Sequence, residues 1–155
     1  MYKKLLFIFV CFFMFNLSAK SFGGEQFVAP SGTEKKAILA QIVSLKTAVV
    51  GQKVEAILLD DFIYDDNVIA PKNSVVIGSI VSYFNSEKTT DESTLHVKFT
   101  TIRTPYNNII PISAVIKTDN ENGVLKPDKE TNEILLKPNK EINILFTQPI
   151  TLSAQ

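Results

Sequence analysis

Residues 69–81 read IAPKNSVVIGSIV and place a turn directly before a strand. Pro71 fixes its own φ at about −65°, and Asn73 is the non-glycine residue that best tolerates left-handed backbone, so together they predict a tight turn. The β-branched run that follows predicts a strand. Gly78, in the middle of that run, predicts a bulge or a close approach by another strand, as at the corner of a barrel.

Before this stretch, two segments rich in Ile, Val, Leu and aromatic residues predict strands at 37–45 and 54–64. The segment between them contains Gly51. A helix is the weaker alternative for residues 34–45, because their apolar residues also fit a period of 3.6. Four aspartates and an asparagine flank a predicted turn between Tyr64 and Val68: Asp60, Asp61, Asp65, Asp66 and Asn67.

After this stretch, residues 85–93 are polar and predict a surface loop. Leu95, Val97 and Phe99 then alternate with polar residues, which predicts a strand with one buried face. Residues 104–108 predict a hairpin connection to a partner strand at 109–117. Within that partner, Pro111 lacks an amide donor and should lie at an edge or a bulge.

The last third of the chain alternates between polar and apolar stretches. Residues 119–132 form a polar segment between strands. Residues 133–137 and 142–152 predict the last strands, around a turn at 137–140. In total the sequence predicts an all-β domain, a small β-barrel or β-sandwich of six to eight mainly antiparallel strands, without a helix. The lack of βαβ alternation argues against an α/β fold.

The first residues have the order of a secretory signal peptide: Lys3 and Lys4, an apolar run over 5–15, then small and polar residues. A spanning helix needs about 20 apolar residues, so a cleaved signal is favoured over a retained anchor. We expect cleavage after Ala19. Cys11, the single cysteine, lies inside the apolar run after bulky residues, so lipidation is not expected.

Removal of residues 1–19 leaves 136 of the 155 residues, enough for one domain. We expect a flexible lead-in at 20–35 and a barrel-like domain at 36–155. The mature chain would lack thiols and therefore disulfides. It would lose two of 16 basic and none of 16 acidic residues, giving a net charge of −2. Such a chain has no basic field for nucleic acid or anionic lipid.

The sequence predicts no catalytic, cofactor or metal site. His96 is the single histidine and alternates with Leu95 and Val97, which favours a solvent-facing or cross-strand position. No Gly-x-Ser-x-Gly elbow, calcium loop or phosphate-binding loop occurs. The pairs Asp60–Asp61 and Asp65–Asp66 favour solvated turns over carboxylate catalysis, because adjacent strand residues point to opposite faces.

Several blocks together resemble the periplasmic β-barrel domain of the channel-spanning subunit of type IV (conjugative) secretion systems, the TrbI-type family. That family has a Pro-x-Gly-Thr segment, a Gly-x-x-Val-x-Ala strand start, a Pro-x-Gly-Ser turn into a strand with a central Gly, and a Pro-containing hairpin. The matching residues are Pro30-Ser31-Gly32-Thr33, Gly51 to Ala56, Pro71-Lys72-Asn73-Ser74 with Gly78, and Phe99 to Ile112; the closing turn and strand resemble Lys137 to Leu152.

The chain departs from that family in two ways. Asn73 stands where the family has Gly, a change that the tolerance of Asn for positive φ makes acceptable. The sequence also shows no internal membrane helix, Pro-rich linker or apolar helical insert. The resemblance therefore implies a free-standing version of the barrel, and a role in DNA transfer does not follow from it.

Three functional hypotheses remain at this point. The first is a non-catalytic exported domain of the bacterial cell envelope, located in the periplasm or at the surface, which contacts other envelope proteins through strand edges in a secretion or surface structure. The second is a secreted module that binds a glycan or a peptide. The third, a remote alternative, is a hydrolase that depends on the Asp cluster.

Overall fold

The computed structural model describes residues 26–86, 92–120 and 122–153. Nearly all of the regular structure in these residues is β-strand, and one 3₁₀ turn covers Leu45–Thr47. The strands are β1 (Gln26–Ala29), β2 (Glu34–Leu39), β3 (Val43–Ser44), β4 (Lys53–Leu58), β5 (Phe62–Tyr64), β6 (Asn67–Ala70), β7 (Val75–Phe84), β8 (Thr94–Arg103), β9 (Ile109–Ile116), β10 (Val124–Leu125), β11 (Leu135–Leu136), β12 (Glu141–Phe146) and β13 (Ile150–Ser153).

Six of these strands close into a barrel. Their order is β8–β7–β4–β2–β12–β9, and β9 pairs back onto β8 to complete the ring. Every pair in the ring is antiparallel. Closure satisfies both edges of each barrel strand where neighbours overlap, which removes the exposed edges that an open sheet would leave. The all-β prediction is confirmed, and of its two architectures the barrel is the one formed.

The barrel interior is filled with side chains from alternate strand positions. Leu95, Val97 and Phe99 are fully buried, as their alternation predicts. A barrel of this size has room for side chains but not for a channel. The other fully buried interior residues from the six strands include Ala37, Leu39, Val54, Ala56, Leu58, Val76, Ile102, Ala114, Ile144 and Phe146.

Gly78 lies where β7 and β8 approach each other too closely to admit a side chain. The pairing of the two strands shifts register between Ile77 and Gly78. A Cβ atom at Gly78 would lie 2.2 Å from the carbonyl oxygen of Lys98 and 2.7 Å from the Cα atom of Phe99. Both features predicted for this glycine, a bulge and a close approach, are therefore present.

The backbone conformations of the turns agree with the residue types that the sequence places there. Asn73, Asn107 and Asn139 have φ values of 68°, 66° and 61°, so each predicted Pro–Asn turn places Asn in the left-handed region. Asp65 and Asp66, with φ of 50° and 60°, form the two-residue connection between β5 and β6. Two consecutive positive φ values are the geometry that matches the twist of a hairpin.

Pro111 lies beside an irregularity, as expected for a residue without an amide donor. It pairs with Thr101, and the register of β8 against β9 shifts between Phe99 and Thr101. The two residues between Pro111 and Ala114 therefore face one residue of β8. The missing donor falls at the point where the ladder is already interrupted.

The small sheets outside the ring differ from the sequence-based expectations. Residues 20–35 were expected to form a flexible lead-in, yet β1 lies within them and pairs with β13. A strand of four residues is too short to show a periodic pattern in the sequence. Its partner, β13, lies at the other end of the described chain. Similarly, the expected strands at 37–45 and 54–64 are each divided in two, because bends at residues 40–41 and 59–60 redirect β3 and β5 out of the ring.

The predicted signal peptide, its cleavage after Ala19 and the residue Cys11 lie outside the described residues. Within 26–86, 92–120 and 122–153, no helix has the length and apolar character needed to cross a bilayer.

Candidate interaction surfaces

His96 occupies a cross-strand position near one end of β8. It pairs with Ser82 of β7 on one side and with Val124 of β10 on the other. Its Nε2 atom is buried and has no hydrogen-bond partner in the described structure. Burial lowers the pKa of His96 below its ordinary value of 6.5, and the positive charge of Lys98 lowers it further. The fold therefore favours the neutral imidazole.

This lowered pKa predicts a loss of stability in mild acid. The unfolded chain binds a proton at His96 more readily than the folded chain. The contribution of neutral His96 to the free energy of unfolding is therefore complete above about pH 6.5 and falls as the pH drops below that value. We expect the urea midpoint to fall more between about pH 7.5 and pH 5 in the wild type than in His96→Gln. Equal falls of the urea midpoint in the two proteins would contradict a lowered pKa of His96 in the folded state.

The acidic residues lie around the β5–β6 hairpin, at turns rather than in a shared cleft. Asp61 accepts a hydrogen bond from the backbone amide of Lys72 at 2.6 Å, which ties the start of the hairpin to the turn before β7. Asp65 and Asp66 form the hairpin turn and are exposed. In the described part of the chain, no group of three or more acidic, His or Cys side chains could hold a metal ion.

A polar groove of about 700 Å³ lies beside β10. Three of its charged side chains have partners within the groove or its loop. Lys126 forms an ion pair with Glu92, and Asp128 accepts backbone hydrogen bonds from Thr131 and Glu130. These bonds lower the pKa of the Asp128 carboxyl. Lys126 and Asp128 therefore help to hold the loop after β10 in place.

A short arm extends from the barrel where β7 and β8 run past their neighbours. The pairing of β7 with β4 ends at Ser79. Beyond it, the Gly51 amide donates to the Ile80 carbonyl and the Ile80 amide donates to the Gln52 carbonyl. β7 continues for four more residues: Val81 is the extra residue of a bulge, and Ser82, Tyr83 and Phe84 pair with β8 alone among the described strands. All four are exposed, and three of them are large and apolar: Val81, Tyr83 and Phe84.

The two edges of this arm differ in whether another described strand pairs with them. On the side of β8, the pairing with β9 begins at Lys98, and β10 covers the ladder positions at Leu95 and His96. On the side of β7, no described strand takes the place that β4 leaves. We call the backbone of residues 81–84 on that side the arm edge. Val49 and Val50, both exposed, lie in the turn next to its start.

The sequence did not reveal the arm edge. Residues 75–84 form a continuous strand, but whether an edge is free depends on where the partner strand ends. A signal was nevertheless present: residues 80–85 carry no charge and end at the polar loop, whereas a strand edge exposed to water usually carries Lys, Pro or an acidic residue.

The six-stranded closed barrel with peripheral two-stranded sheets defines the class of fold. The chain shares this fold with ComB10 of the Com type IV secretion system of Helicobacter pylori, with a TM-score of 0.60 and 16% sequence identity. The match covers 83% of this chain and 92% of ComB10. The barrel expected from the TrbI-type resemblance is thus confirmed at the level of fold. No protein-family model and no curated sequence matches the chain.

Proposed function

We propose that this protein is a non-catalytic, exported domain of the bacterial cell envelope that acts by protein–protein contact, as an assembly or scaffolding module of a secretion or surface structure. The observation that carries the proposal is the barrel shared over 83% of the chain with ComB10, a protein of a type IV secretion system. A shared fold does not by itself fix function, so the surfaces of this chain must support the proposal as well.

Two features of the surface favour contact over catalysis. Large apolar side chains are exposed in groups, on the arm and on the β5–β6 hairpin, where Ile63 and Val68 form an exposed cross-strand pair. Grouped apolar exposure is typical of protein interaction sites. The titratable groups considered for catalysis lie on different elements instead: His96 lies on the arm, while Asp61, Asp65 and Asp66 lie around the β5–β6 hairpin.

The proposal is tested by crosslinking in the cells that make the protein. A photoreactive amino acid is placed at three exposed positions, Ile63, Val81 and Tyr106, in separate strains. We expect discrete adducts with envelope proteins from at least one position, in the envelope fraction. The same fraction should contain a chain whose first residue, by mass spectrometry, is Lys20.

Three outcomes would contradict the proposal. A chain that stays in the cytosol with Met1 attached would exclude export. A chain that is exported but gives no adduct at any position would exclude contact with envelope proteins, and would favour the secreted ligand-binding module. A hydrolytic activity of the purified protein that disappears in the Asp61→Asn, Asp65→Asn variant would favour the hydrolase.

A further inference from the structure

Asn122 and Gly123 form the single Asn-Gly pair of the chain, and they lie in the turn that leads into β10. The side chain of Asn122 is folded back onto the backbone. Its Oδ1 atom accepts one hydrogen bond from the Val124 amide at 3.0 Å and another from the Thr118 hydroxyl at 3.2 Å. The first of these bonds closes an Asx turn around Gly123. The carboxamide of Asn122 is therefore held beside the backbone of the residue that follows it.

Gly123 cannot be replaced without a change in packing. It is buried, it has a φ of 72°, and a Cβ atom here would lie 2.5 Å from the Cβ atom of Val115. Val115 belongs to β9 and is 5% exposed, so Gly123 lies directly against a buried side chain. A glycine also leaves its own amide nitrogen without the shielding that a side chain gives. The packing that requires a glycine at this position therefore places an unhindered nitrogen next to the Asn122 carboxamide.

The chemistry open to this pair is the closure of a cyclic imide. The Gly123 nitrogen, after loss of its proton to solvent, forms a bond to Cγ of Asn122. The Cγ–Nδ2 bond breaks, and Nδ2 takes a proton from water and leaves as ammonia. Negative charge develops on Oδ1 during the attack, where the Val124 amide and the Thr118 hydroxyl already donate. Because bonds to a charged oxygen are stronger than bonds to a neutral one, these donors lower the barrier.

Water then opens the imide at either of its carbonyl carbons. Addition at Cγ gives an aspartate, whose carboxylate accepts the same hydrogen bonds as Asn122. Addition at the main-chain carbonyl carbon gives an isoaspartyl linkage, in which the backbone runs through Cβ and Cγ and gains one atom. The added atom would move Gly123 off Val115, and β10 with it. β10 consists of Val124 and Leu125 alone, so few ladder bonds resist that shift.

We propose that Asn122 is a site of spontaneous deamidation, and that its isoaspartyl product releases β10 from β8. The nucleophile and both donors belong to this chain, and water is the other reactant. The modification would alter the polar groove beside β10, because Val124 and Leu125 line it. Deamidation is independent of the proposed function, because it needs no contact with another protein.

The proposal is tested by incubating the purified protein in mildly alkaline buffer and following each asparagine by peptide mass spectrometry. We expect Asn122 to lose its amide roughly tenfold faster than Asn107 and Asn139, because neither of these is followed by glycine. Both are exposed turn residues with positive φ, so they are internal controls in the same sample. Loss of the amide at one rate in all three residues, or no loss at Asn122, would overturn the proposal.

The substitution Thr118→Val tests the role of the donors. We expect it to slow deamidation of Asn122 about fivefold, because an exposed donor stabilises an oxyanion less than a donor in a closed active site. Thr131→Val is the matched control, since the Thr131 hydroxyl donates to Asp128 instead; it should leave the rate unchanged. Faster deamidation in Thr118→Val would mean that the hydrogen bonds restrain Asn122, and would overturn their activating role.

A comparison of the two products tests the release of β10. The isoaspartyl form is separated by chromatography after incubation, and freshly purified Asn122→Asp represents the aspartyl form. We expect amide hydrogen exchange at the paired residues Leu95 and Leu125 to be about tenfold faster in the isoaspartyl form and unchanged in Asn122→Asp. Unchanged exchange in the isoaspartyl form would overturn the release of β10. Equal acceleration in both forms would overturn it too, because the added charge would then be the cause.

Discussion

Replacement of Gly78 by alanine is expected to lower the free energy of unfolding by about 3 kcal/mol or more, the upper range for overpacking a core. The added Cβ would lie 2.2 Å from the Lys98 carbonyl oxygen. The contact cannot be relieved by a rotamer change, since the atoms that it meets are backbone atoms of β8. β7 and β8 would have to separate at the centre of their shared ladder, and the ring would open there.

Two other glycines provide the control for this prediction. Gly32 and Gly51 have φ values of 84° and 87°, and a Cβ at either would meet no atom within 4 Å. Alanine at these positions should cost only the backbone strain of a left-handed residue, about 1–2 kcal/mol. Urea unfolding followed by circular dichroism measures all three variants. A Gly78→Ala protein as stable as Gly32→Ala would show that the two strands separate easily.

The features predicted correctly from the sequence are those encoded locally. The Pro71–Asn73 turn, the buried alternation of Leu95 with Val97 and the bulge at Gly78 each depend on the chemistry of a few neighbouring residues. Such signals need no knowledge of the partner strand, because positive φ, β-branching and side-chain alternation act within one segment. For this reason the all-β class and the turn positions follow from the sequence.

The features that escaped prediction depend on residues far apart in the chain. The segment patterns left barrel and sandwich open, because closure depends on β9 meeting β8 on one side and β12 on the other, and only the TrbI-type resemblance favoured the barrel. The pairing of β1 with β13 joins residues near the two ends of the described chain. The arm edge exists because β7 has ten residues and β4 has six. Relative strand length and closure are properties of the assembled sheet, so single-segment patterns cannot supply them.

Replacement of Phe62 by alanine is the second substitution with a large expected effect. We expect a loss of about 3–5 kcal/mol in the free energy of unfolding, the usual cost of removing a buried aromatic ring. Phe62 is fully buried although its neighbours in β5 are exposed. Its ring lies 5.0 Å from that of Phe146 in β12, tilted by 46°, and the Lys35 ammonium lies 5.0 Å from its centre.

This geometry makes Phe62 the link between the β5–β6 hairpin and the barrel core. The hairpin pairs with no ring strand, so it is held by buried side chains instead of a ladder, and Phe62 is the largest of them. Ile63→Ala is the matched control, because Ile63 is the next residue and is 49% exposed; it should change stability by less than about 0.5 kcal/mol. Equal effects of the two substitutions would contradict the anchoring role.

Hydrogen exchange shows whether the loss of stability in Phe62→Ala remains confined to the β5–β6 hairpin. If Phe62 acts only on the hairpin, amides of β5 and β6 should exchange faster in Phe62→Ala while those of β8 stay protected. We expect the effect to reach the ring, because Phe146 belongs to β12 and loses its neighbour. A double-mutant cycle with Phe146→Leu should give a coupling of about 0.5–1.5 kcal/mol, as for other tilted aromatic pairs. A coupling near zero would mean that the two rings contribute independently, and that the hairpin is held by its other buried residues, Ile69 and Ala70.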